Sequence, residues 1–452
     1  MSLAGGLRLS ATAPVIDQAS QLERVLLPPA PVAQRDSSAR RPLLIAVVSR
    51  LLVLGASSGA VLLLGWGPTR KVLAHGQLTN GFGRVGNVLL AGSARWDAAW
   101  YLLIARAGYA PSLGSATVAR DAFFPLYPLL IKAFSFGLDG IAPALAGVAI
   151  SLCALALATV LLYKLAVLEL TQWLGLSPQR ARRGATVAVA ACCLAPVAFF
   201  FSAIYPESLY LCLSLAAFWF ARNRRFPAAG LAAGLAAATR PTGVLLIVPL
   251  ALLYLFPPDP AGRWGGISTG KRERLRRDFL SLLACPLALL AFCLYLLFAG
   301  GSPTAPFAAE SLWGRSFAGP LSALVAGAAS AGSALAALVG QASSAAQVAA
   351  SHNLELFGFA VLALVATWGC ARRLPLPYTA YLIAALALPL SYPASGEPLM
   401  SLPRFLLVLF PIYIWLGAAL SNRRRLAVAL LLASALSLVF FTGAFATWHW
   451  VS

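Results

Sequence analysis

Apolar positions along this chain do not alternate with polar ones. They run in blocks of about twenty, most plainly at 43–66, 141–168, 279–298 and 426–446. Roughly 20 apolar residues in helix cross a hydrocarbon core about 30 Å thick. Inside lipid every backbone amide has to be bonded within its own segment or within a closed barrel. With no period-two pattern to build a barrel, the blocks predict helices. Read from end to end, the pattern predicts crossings near 43–66, 141–168, 185–201, 206–221, 226–240, 242–256, 279–299, 353–371, 377–392, 404–420 and 426–447. The chain is thus an all-α polytopic membrane protein of about eleven transmembrane helices. No internal repeat is visible.

Two long segments, 67–140 and 300–352, remain off the membrane. Loops longer than about 12–15 residues usually carry function or are disordered. Both hold Trp and Phe, so they are expected to fold onto the outer membrane face. Within the second, the Ala/Ser/Gly run 323–350 reads as a helical part of the loop. Residues 1–42 are Ala-, Ser- and Pro-rich without an apolar core, which predicts a disordered cytoplasmic tail rather than a signal peptide. A single transmembrane domain then occupies 43–452.

Composition agrees with this. The chain is 60% hydrophobic and 11% charged, with a mean hydropathy of +0.81, against about 25% charged residues in a soluble domain. The formal net charge of +20 would suit nucleic acid if it were spread over one surface. Instead the basic clusters, at 40–41, 180–183, 222–225, 271–277, 372–373 and 423–425, fall between apolar blocks. Lys and Arg gather on the cytoplasmic side of spanning helices. The basicity therefore reports topology and gives no reason to expect a nucleic-acid partner. The seven cysteines lie in or beside apolar blocks and read as small buried hydrophobes. His75, His352 and His449 stand apart, without metal-ligand spacing, and no cofactor is expected.

This topology leaves few acids outside: Asp97, Asp121, Asp139, Glu207, Glu310, Glu355 and Glu397. Charge at membrane depth is costly and marks candidate sites. Asp97 follows Arg95 and Trp96 and precedes Trp100 and Tyr101, where Trp96, Trp100, Leu103 and Ala107 share one helical face. This predicts an amphipathic interfacial helix with Asp97 in its first turn, either capping it or serving a site. Asp121 precedes a proline-broken aromatic turn and reads as a solvated or capping residue. Glu207 follows Pro206 and either complements a helix dipole or lines a site. Arg240 stands at a Pro/Gly break, Arg315 follows Trp313-Gly314, and Arg404 opens a predicted helix. Each could be an interface anchor. Together they put several guanidiniums on the face where few cations are expected, and guanidinium suits phosphate by bidentate hydrogen bonding.

The run Arg95-Trp96-Asp97-Ala98-Ala99-Trp100-Tyr101 with Ala107-Gly108-Tyr109 resembles the first outer-loop motif of the GPI mannosyltransferase II (PIG-V) family. So do Phe123-Phe124-Pro125-Leu126-Tyr127-Pro128, Tyr205-Pro206-Glu207, Thr239-Arg240-Pro241-Thr242-Gly243, Trp313-Gly314-Arg315 and Pro403-Arg404-Phe405. Order and rough spacing hold over about 45–440, in the style of the family's bacterial branch. Glu310 stands where Gln is expected, and Phe405 where Tyr is common. The resemblance implies a GT-C glycosyltransferase fold with amphipathic helices in the first outer loop. It implies transfer of a sugar, usually mannose, from a polyprenyl-phosphate carrier to a glycan or glycolipid acceptor hydroxyl, with inversion and without metal. Asp97 maps to the catalytic base. Arg95, Trp96, Tyr101, Glu207, Arg240, Glu310, Arg315 and Arg404 are expected to bind substrate. The expected setting is a bacterial inner membrane with the site on its outer face. The rival reading is a transporter or flippase of lipid-linked glycans, which would show inverted repeats and acids at mid-membrane.

The charge pattern makes a direct prediction about sidedness. In a background without the native cysteines, Asp97→Cys should react with an impermeant thiol reagent added outside, and Arg274→Cys only after permeabilisation. The reverse pattern would overturn the topology.

Overall fold

Every apolar block becomes helix, and several of these helices are broken where the backbone has to turn inside the protein. The computed structural model describes residues 37–67, 78–109, 119–256, 275–339 and 343–451. The expected tail up to residue 36, His75 and residues 271–274 of the basic cluster lie outside them. In chain order the helices are α1 (Ser37–Leu64), α2 (Gly83–Leu89), α3 (Ala98–Ala107), α4 (Leu126–Phe134), α5 (Ala142–Gln172) and α6 (Pro178–Cys193). Next come α7 (Glu207–Arg222), α8 (Phe226–Ala237), α9 (Ile247–Leu255), α10 (Ala284–Phe298), α11 (Ala305–Ala308) and α12 (Ser322–Val339). The last are α13 (Ser344–Arg373), α14 (Leu376–Leu390), α15 (Leu402–Leu407), α16 (Pro411–Leu420) and α17 (Arg424–Ala446). Among the described residues there is no strand, only one isolated bridge between Arg315 and Ala394.

Among the described residues six segments are long and apolar enough to cross a membrane: Ala39–Leu64, Ala142–Gln172, Arg277–Phe298, Ser322–Val339, Ala346–Arg373 and Arg424–Ala446. The protein is accordingly a multi-pass membrane protein. Five of the six coincide with expected crossings. The sixth is the Ala/Ser/Gly run, which is helical as expected and also has the length and composition of a span. The first helix starts at Ser37, inside the stretch expected to be disordered, and accommodates Pro42.

The other expected crossings are shorter or interrupted. α6 starts at Pro178 and stops at Cys193, and a 3₁₀ turn follows at Ala198–Phe201. The block expected at 242–256 divides into a 3₁₀ segment, Pro241–Leu246, and α9. The block at 404–420 divides into α15 and α16.

Such breaks need substitute hydrogen-bond donors, because the last carbonyls of a helix have no partner of their own and lipid supplies none. Arg50 from α1 is the donor at the 193–202 break. Its Nη1 donates to the Ala198 carbonyl at 2.6 Å and to Ser202 Oγ at 2.9 Å, and its Nη2 donates to the Cys193 carbonyl at 2.9 Å. Ser434 of α17 donates to the Leu194 carbonyl at 2.7 Å. One arginine and one serine from two other helices thus make an interrupted helix tolerable.

Helix contacts depend on small residues. An added Cβ at Gly230 would collide with the Ser281 carbonyl, and one at Gly234 with Ala284. Spaced four apart on α8, these glycines let its backbone approach the segment Arg277–Phe298, which is how helices associate where no hydrophobic force separates lipid from protein. α7 packs on α5 and α8, and α6 lies between α5 and α16. At the end that the charge pattern assigns to the cytoplasm, Glu169 of α5 and Arg222 of α7 form a fully buried ion pair. The Tyr378 hydroxyl of α14 donates to the same carboxylate at 2.7 Å. Three helices are tied there by one carboxylate.

Removing one partner of a buried ion pair leaves an uncompensated charge and costs about 3–5 kcal/mol, whereas replacing both with apolar residues can be near neutral. Arg222→Met should therefore destabilise the detergent-solubilised protein strongly, and Arg222→Met with Glu169→Met should recover most of the loss. Equal heat-resistant fractions for wild type and Arg222→Met in size-exclusion chromatography would contradict a structural role for the pair.

Candidate active site

The loop before α3 makes a sharp turn. Trp96 has φ +51, a left-handed conformation unusual for a bulky residue. The turn throws Arg95 and Asp97 to opposite sides. Arg95 is fully buried and faces away from Asp97's cleft. Its Nε donates to the Ala446 carbonyl at 3.2 Å, and its Nη1 donates to the carbonyls of Ala94 at 2.8 Å and Thr79 at 3.2 Å. Its guanidinium lies between the rings of Trp66 and Trp448, 5.4 and 5.1 Å from their centroids. Trp96 packs on Trp448 and Trp450, with centroids 5.8 and 4.9 Å away. Arg95 and Trp96, both expected to touch substrate, instead fasten the turn to the end of α17.

Asp97 sits at the N-cap position of α3 and makes no side-chain capping hydrogen bond. Its carboxylate turns the other way, into a cleft of about 1230 Å³ counted with its open mouth. The face of α3 that packs inward carries Ala98, Tyr101, Leu102 and Ala105. The stripe of Trp100, Leu103 and Ala107 lies on the more exposed side, and Trp96 is outside the helix altogether.

Seven of the nine residues expected at the site line this one cleft: Asp97, Tyr101, Glu207, Arg240, Glu310, Arg315 and Arg404. They come from α3, α7, α15 and three turns. Glu207, in the first turn of α7, is 1% exposed. Its Oε1 lies 3.3 Å from Arg240 Nη1 and 3.5 Å from Arg404 Nε. Arg404 in turn places Nη1 2.7 Å from Asp97 Oδ2. Asp97, Arg404, Glu207 and Arg240 therefore form a chain of alternating charge. Arg240 is carried there by a turn that only glycine can close, since a Cβ at Gly243 would strike the backbone of Ala236 and Ala237.

Arg315 completes the set. Its Nη2 donates to the Met400 carbonyl at 2.8 Å, and its Nε lies 3.7 Å from Glu310 Oε2, the loosest of the arginine–carboxylate pairs lining the cleft. Burial pulls the Arg315 guanidinium below its ordinary pKa, against the opposing pull of Glu310. The ring of Phe405 is common to all three guanidiniums, with Arg240, Arg315 and Arg404 at 5.3, 5.5 and 6.0 Å from its centroid.

The pairing is incomplete in a telling way. Arg240 Nη1 and Arg404 Nε are buried near Glu207 but out of line for hydrogen bonds, and Glu207 Oε2 has no hydrogen-bond partner among the described residues. Buried polar groups are nearly always bonded. Two guanidiniums that line one cleft thus keep N–H groups without an aligned acceptor. Among the described residues no group of three or more His, Cys, Asp or Glu side chains is gathered as a metal site.

Several residues at or beside the site are assigned no site role by the sequence. Phe123, Trp313 and Trp450 line the cleft, with Phe123 edge-on to Tyr101 at 5.1 Å and to Trp313 at 5.9 Å. Trp450 donates Nε1–H to Glu397 Oε2 at 3.3 Å. His352, isolated in sequence, lies 3.7 Å from Glu397 and 4.0 Å from Glu355. The neighbouring imidazole holds the Glu397 carboxyl below the usual carboxylate range, against the effect of burial. Asp121 is not freely solvated: burial pushes its pKa up to about 6, opposed by the charge of Arg120. Asp139 pairs with Arg106 at 3.4 Å on the exposed surface, away from the cleft.

Comparison with known proteins adds three findings. No curated protein matches the chain. Two solved structures of an oligosaccharyltransferase from Archaeoglobus fulgidus are similar in outline. One, tethered to an acceptor peptide containing the NVT sequon, is 12% identical with a TM-score of 0.39, over 90% of this chain and 55% of that one. The other, in complex with Zn and sulfate, is 14% identical with a TM-score of 0.37, over 89% and 52%. The chain spans about half the length of these proteins, and at such TM-scores the likeness carries no argument. Residues 74–248, the stretch that supplies Asp97, Tyr101, Glu207 and Arg240 to the cleft, match the family model described as Mannosyltransferase (PIG-V).

Proposed function

We propose that this protein is a membrane glycosyltransferase of GT-C type that moves a sugar, mannose on the family's pattern, from a polyprenyl-phosphate carrier to an acceptor hydroxyl. The transfer inverts the anomeric carbon and takes place on the outer face of a bacterial inner membrane. One observation carries the reading: a non-capping carboxylate shares a single cleft with three guanidiniums, two of which hold buried N–H groups without an aligned acceptor.

The chemistry follows from that arrangement. The acceptor oxygen attacks the anomeric carbon as the bond from that carbon to the carrier's phosphate oxygen breaks. Asp97 takes the acceptor's proton, and the bonding electrons leave on the phosphate. General-base help of this kind is worth about 10²–10⁴-fold. Charge grows on the leaving phosphate, and preorganised donors aimed at developing charge are effective in a site shielded from water. Arg240 and Arg315 fit that task, since their carboxylate pairs, at 3.3 and 3.7 Å, are both longer than the 2.7 Å pair of Arg404 with Asp97. Arg404 is bound to Asp97 at 2.7 Å and so links the leaving-group side of the cleft to the base.

Asp97→Asn keeps the shape of the side chain and removes its ability to accept a proton. Turnover with polyprenyl-phosphate mannose and a panel of acceptors should fall by about two orders of magnitude or more, at wild-type protein levels. Full turnover would sink the assignment and point to Glu207 or Glu310.

Exchanging a bidentate fork for a point charge separates the arginines. Arg240→Lys and Arg315→Lys should raise the donor KM several-fold with a smaller change in kcat. Arg404→Lys should lower kcat as well, because the partner of Asp97 has changed. Three lysine variants with wild-type kinetics would place the phosphate elsewhere.

A further inference from the structure

The turn that presents Asp97 is strained, and a strained turn holds only where its surroundings fix it. Trp96 stands at φ +51. On one side the Arg95 side chain fastens the turn to Thr79 and Ala446. On the other side a single group spans it. The backbone N–H of Asp97 donates to the Tyr205 hydroxyl at 2.9 Å, and that hydroxyl donates to the Arg95 carbonyl at 3.2 Å. One oxygen thus joins residues 95 and 97 across Trp96.

Tyr205 is itself held firmly. It is 1% exposed, and its ring meets those of Phe200 at 4.9 Å, Tyr101 at 6.0 Å and Phe445 at 6.2 Å. Its backbone carbonyl accepts from Ser151 Oγ at 3.3 Å, and the same Oγ donates to the Ala203 carbonyl at 2.9 Å. Ile204 N–H donates to the Ser93 carbonyl at 2.8 Å. The Arg404 guanidinium lies 5.7 Å from the centre of the Tyr205 ring. Burial raises the phenol well above its ordinary pKa, so the O–H stays a donor.

We propose that Tyr205 is a positioning residue for the reaction: its hydroxyl clasps the turn Arg95-Trp96-Asp97 and fixes where the Asp97 carboxylate stands against Arg404 and the acceptor. The proposal rests on the reading of Asp97 as the base. Tyr205 makes no step of its own, and small displacements of a reacting group are expensive, with about 1 Å able to cost 10²-fold.

The test compares four purified proteins: wild type, Tyr205→Phe, Asp97→Asn and the double variant. Tyr205→Phe keeps the ring and its packing and loses only the bridging oxygen. Its kcat should fall about tenfold with the donor KM unchanged within twofold. In the Asp97→Asn background the same change should cost less than twofold, because residues that act as a unit are not additive. Equal losses in the two backgrounds would overturn the proposal, as would a change in donor KM alone or wild-type kcat in Tyr205→Phe. A fully active Asp97→Asn protein would remove the base reading and the positioning role with it, an outcome visible in that single variant. Should Tyr205→Phe not accumulate, 3-fluorotyrosine at position 205 keeps the hydroxyl and weakens it as an acceptor. A graded loss of kcat is then expected, and unchanged turnover would overturn the proposal.

Discussion

A charge removed from water has to meet an opposite charge, and at this cleft that requirement organises everything around Glu207. Its single carboxylate, 1% exposed, is near both Arg240 and Arg404. Arg404 extends the chain to Asp97. Each member satisfies part of its neighbour's need and none satisfies it fully, so the set stands or falls together. Buried ion pairs of this kind are weak contributors to stability, because desolvation offsets most of the attraction. A purely structural core could have been built more cheaply from apolar residues. The presence of three acids and three guanidiniums in one cleft therefore supports the proposal of a charged substrate.

The same constraint governs the backbone. Helices that break inside a membrane protein expose carbonyls and amides that lipid cannot bond. The break between α6 and α7 is satisfied by Arg50, Ser434 and Ser151, drawn from α1, α17 and α5. The interruption has a use. It lets residues 203–207 leave the helical path and carry Tyr205 to the Asp97 turn and Glu207 to the arginines. Dynamics and function meet here: the elements that place the chemistry are short turns, and their rigidity comes from side chains of distant helices rather than from helix geometry.

This division explains what could be read in the sequence. Long apolar blocks and basic clusters are collective signals, repeated many times along the chain, and they specify a multi-pass helical protein. Rare outer-side acids and arginines stand out because they are costly, and six of them, Asp97, Glu207, Glu310, Arg240, Arg315 and Arg404, line one cleft together with Tyr101, which only the motif singles out. Arg95 and Trp96 were equally conspicuous and face elsewhere, because a positive φ at Trp96 reverses the chain between positions 95 and 97. No periodicity encodes that reversal. Tyr205 was quoted as part of a motif without a role, since a buried tyrosine looks the same whether its hydroxyl is used or idle. Trp450 acts through a partner 53 residues away and Arg50 through partners 143 to 152 residues away, and such pairings leave no local pattern. The short helices α8, α9 and α16 blur the count of crossings for a related reason: at 9 to 12 residues length no longer tells a crossing from a buried segment.

Phe405 brings these arguments to one point. Three guanidiniums within about 6 Å of one ring would repel one another if nothing lay between them. The ring face is electron-rich and attracts each cation without competing for their N–H groups. A tyrosine, common at this position in the family the motifs resemble, would add a hydroxyl able to bond a guanidinium or a carboxylate. Phenylalanine adds none, so Glu207, Glu310 and Asp97 remain the carboxylate partners of the arginines, and the N–H groups of Arg240 Nη1 and Arg404 Nε stay without an aligned acceptor. Glu310, where glutamine is expected, works in the opposite direction by adding a negative charge beside Arg315. The ring removes a competitor for the N–H groups, while the 3.7 Å spacing keeps Glu310 only a loose partner, so Arg315 can still turn to another anion. The two departures from the family's pattern thus act on the same set of guanidiniums, one by withholding a hydroxyl and the other by adding a charge.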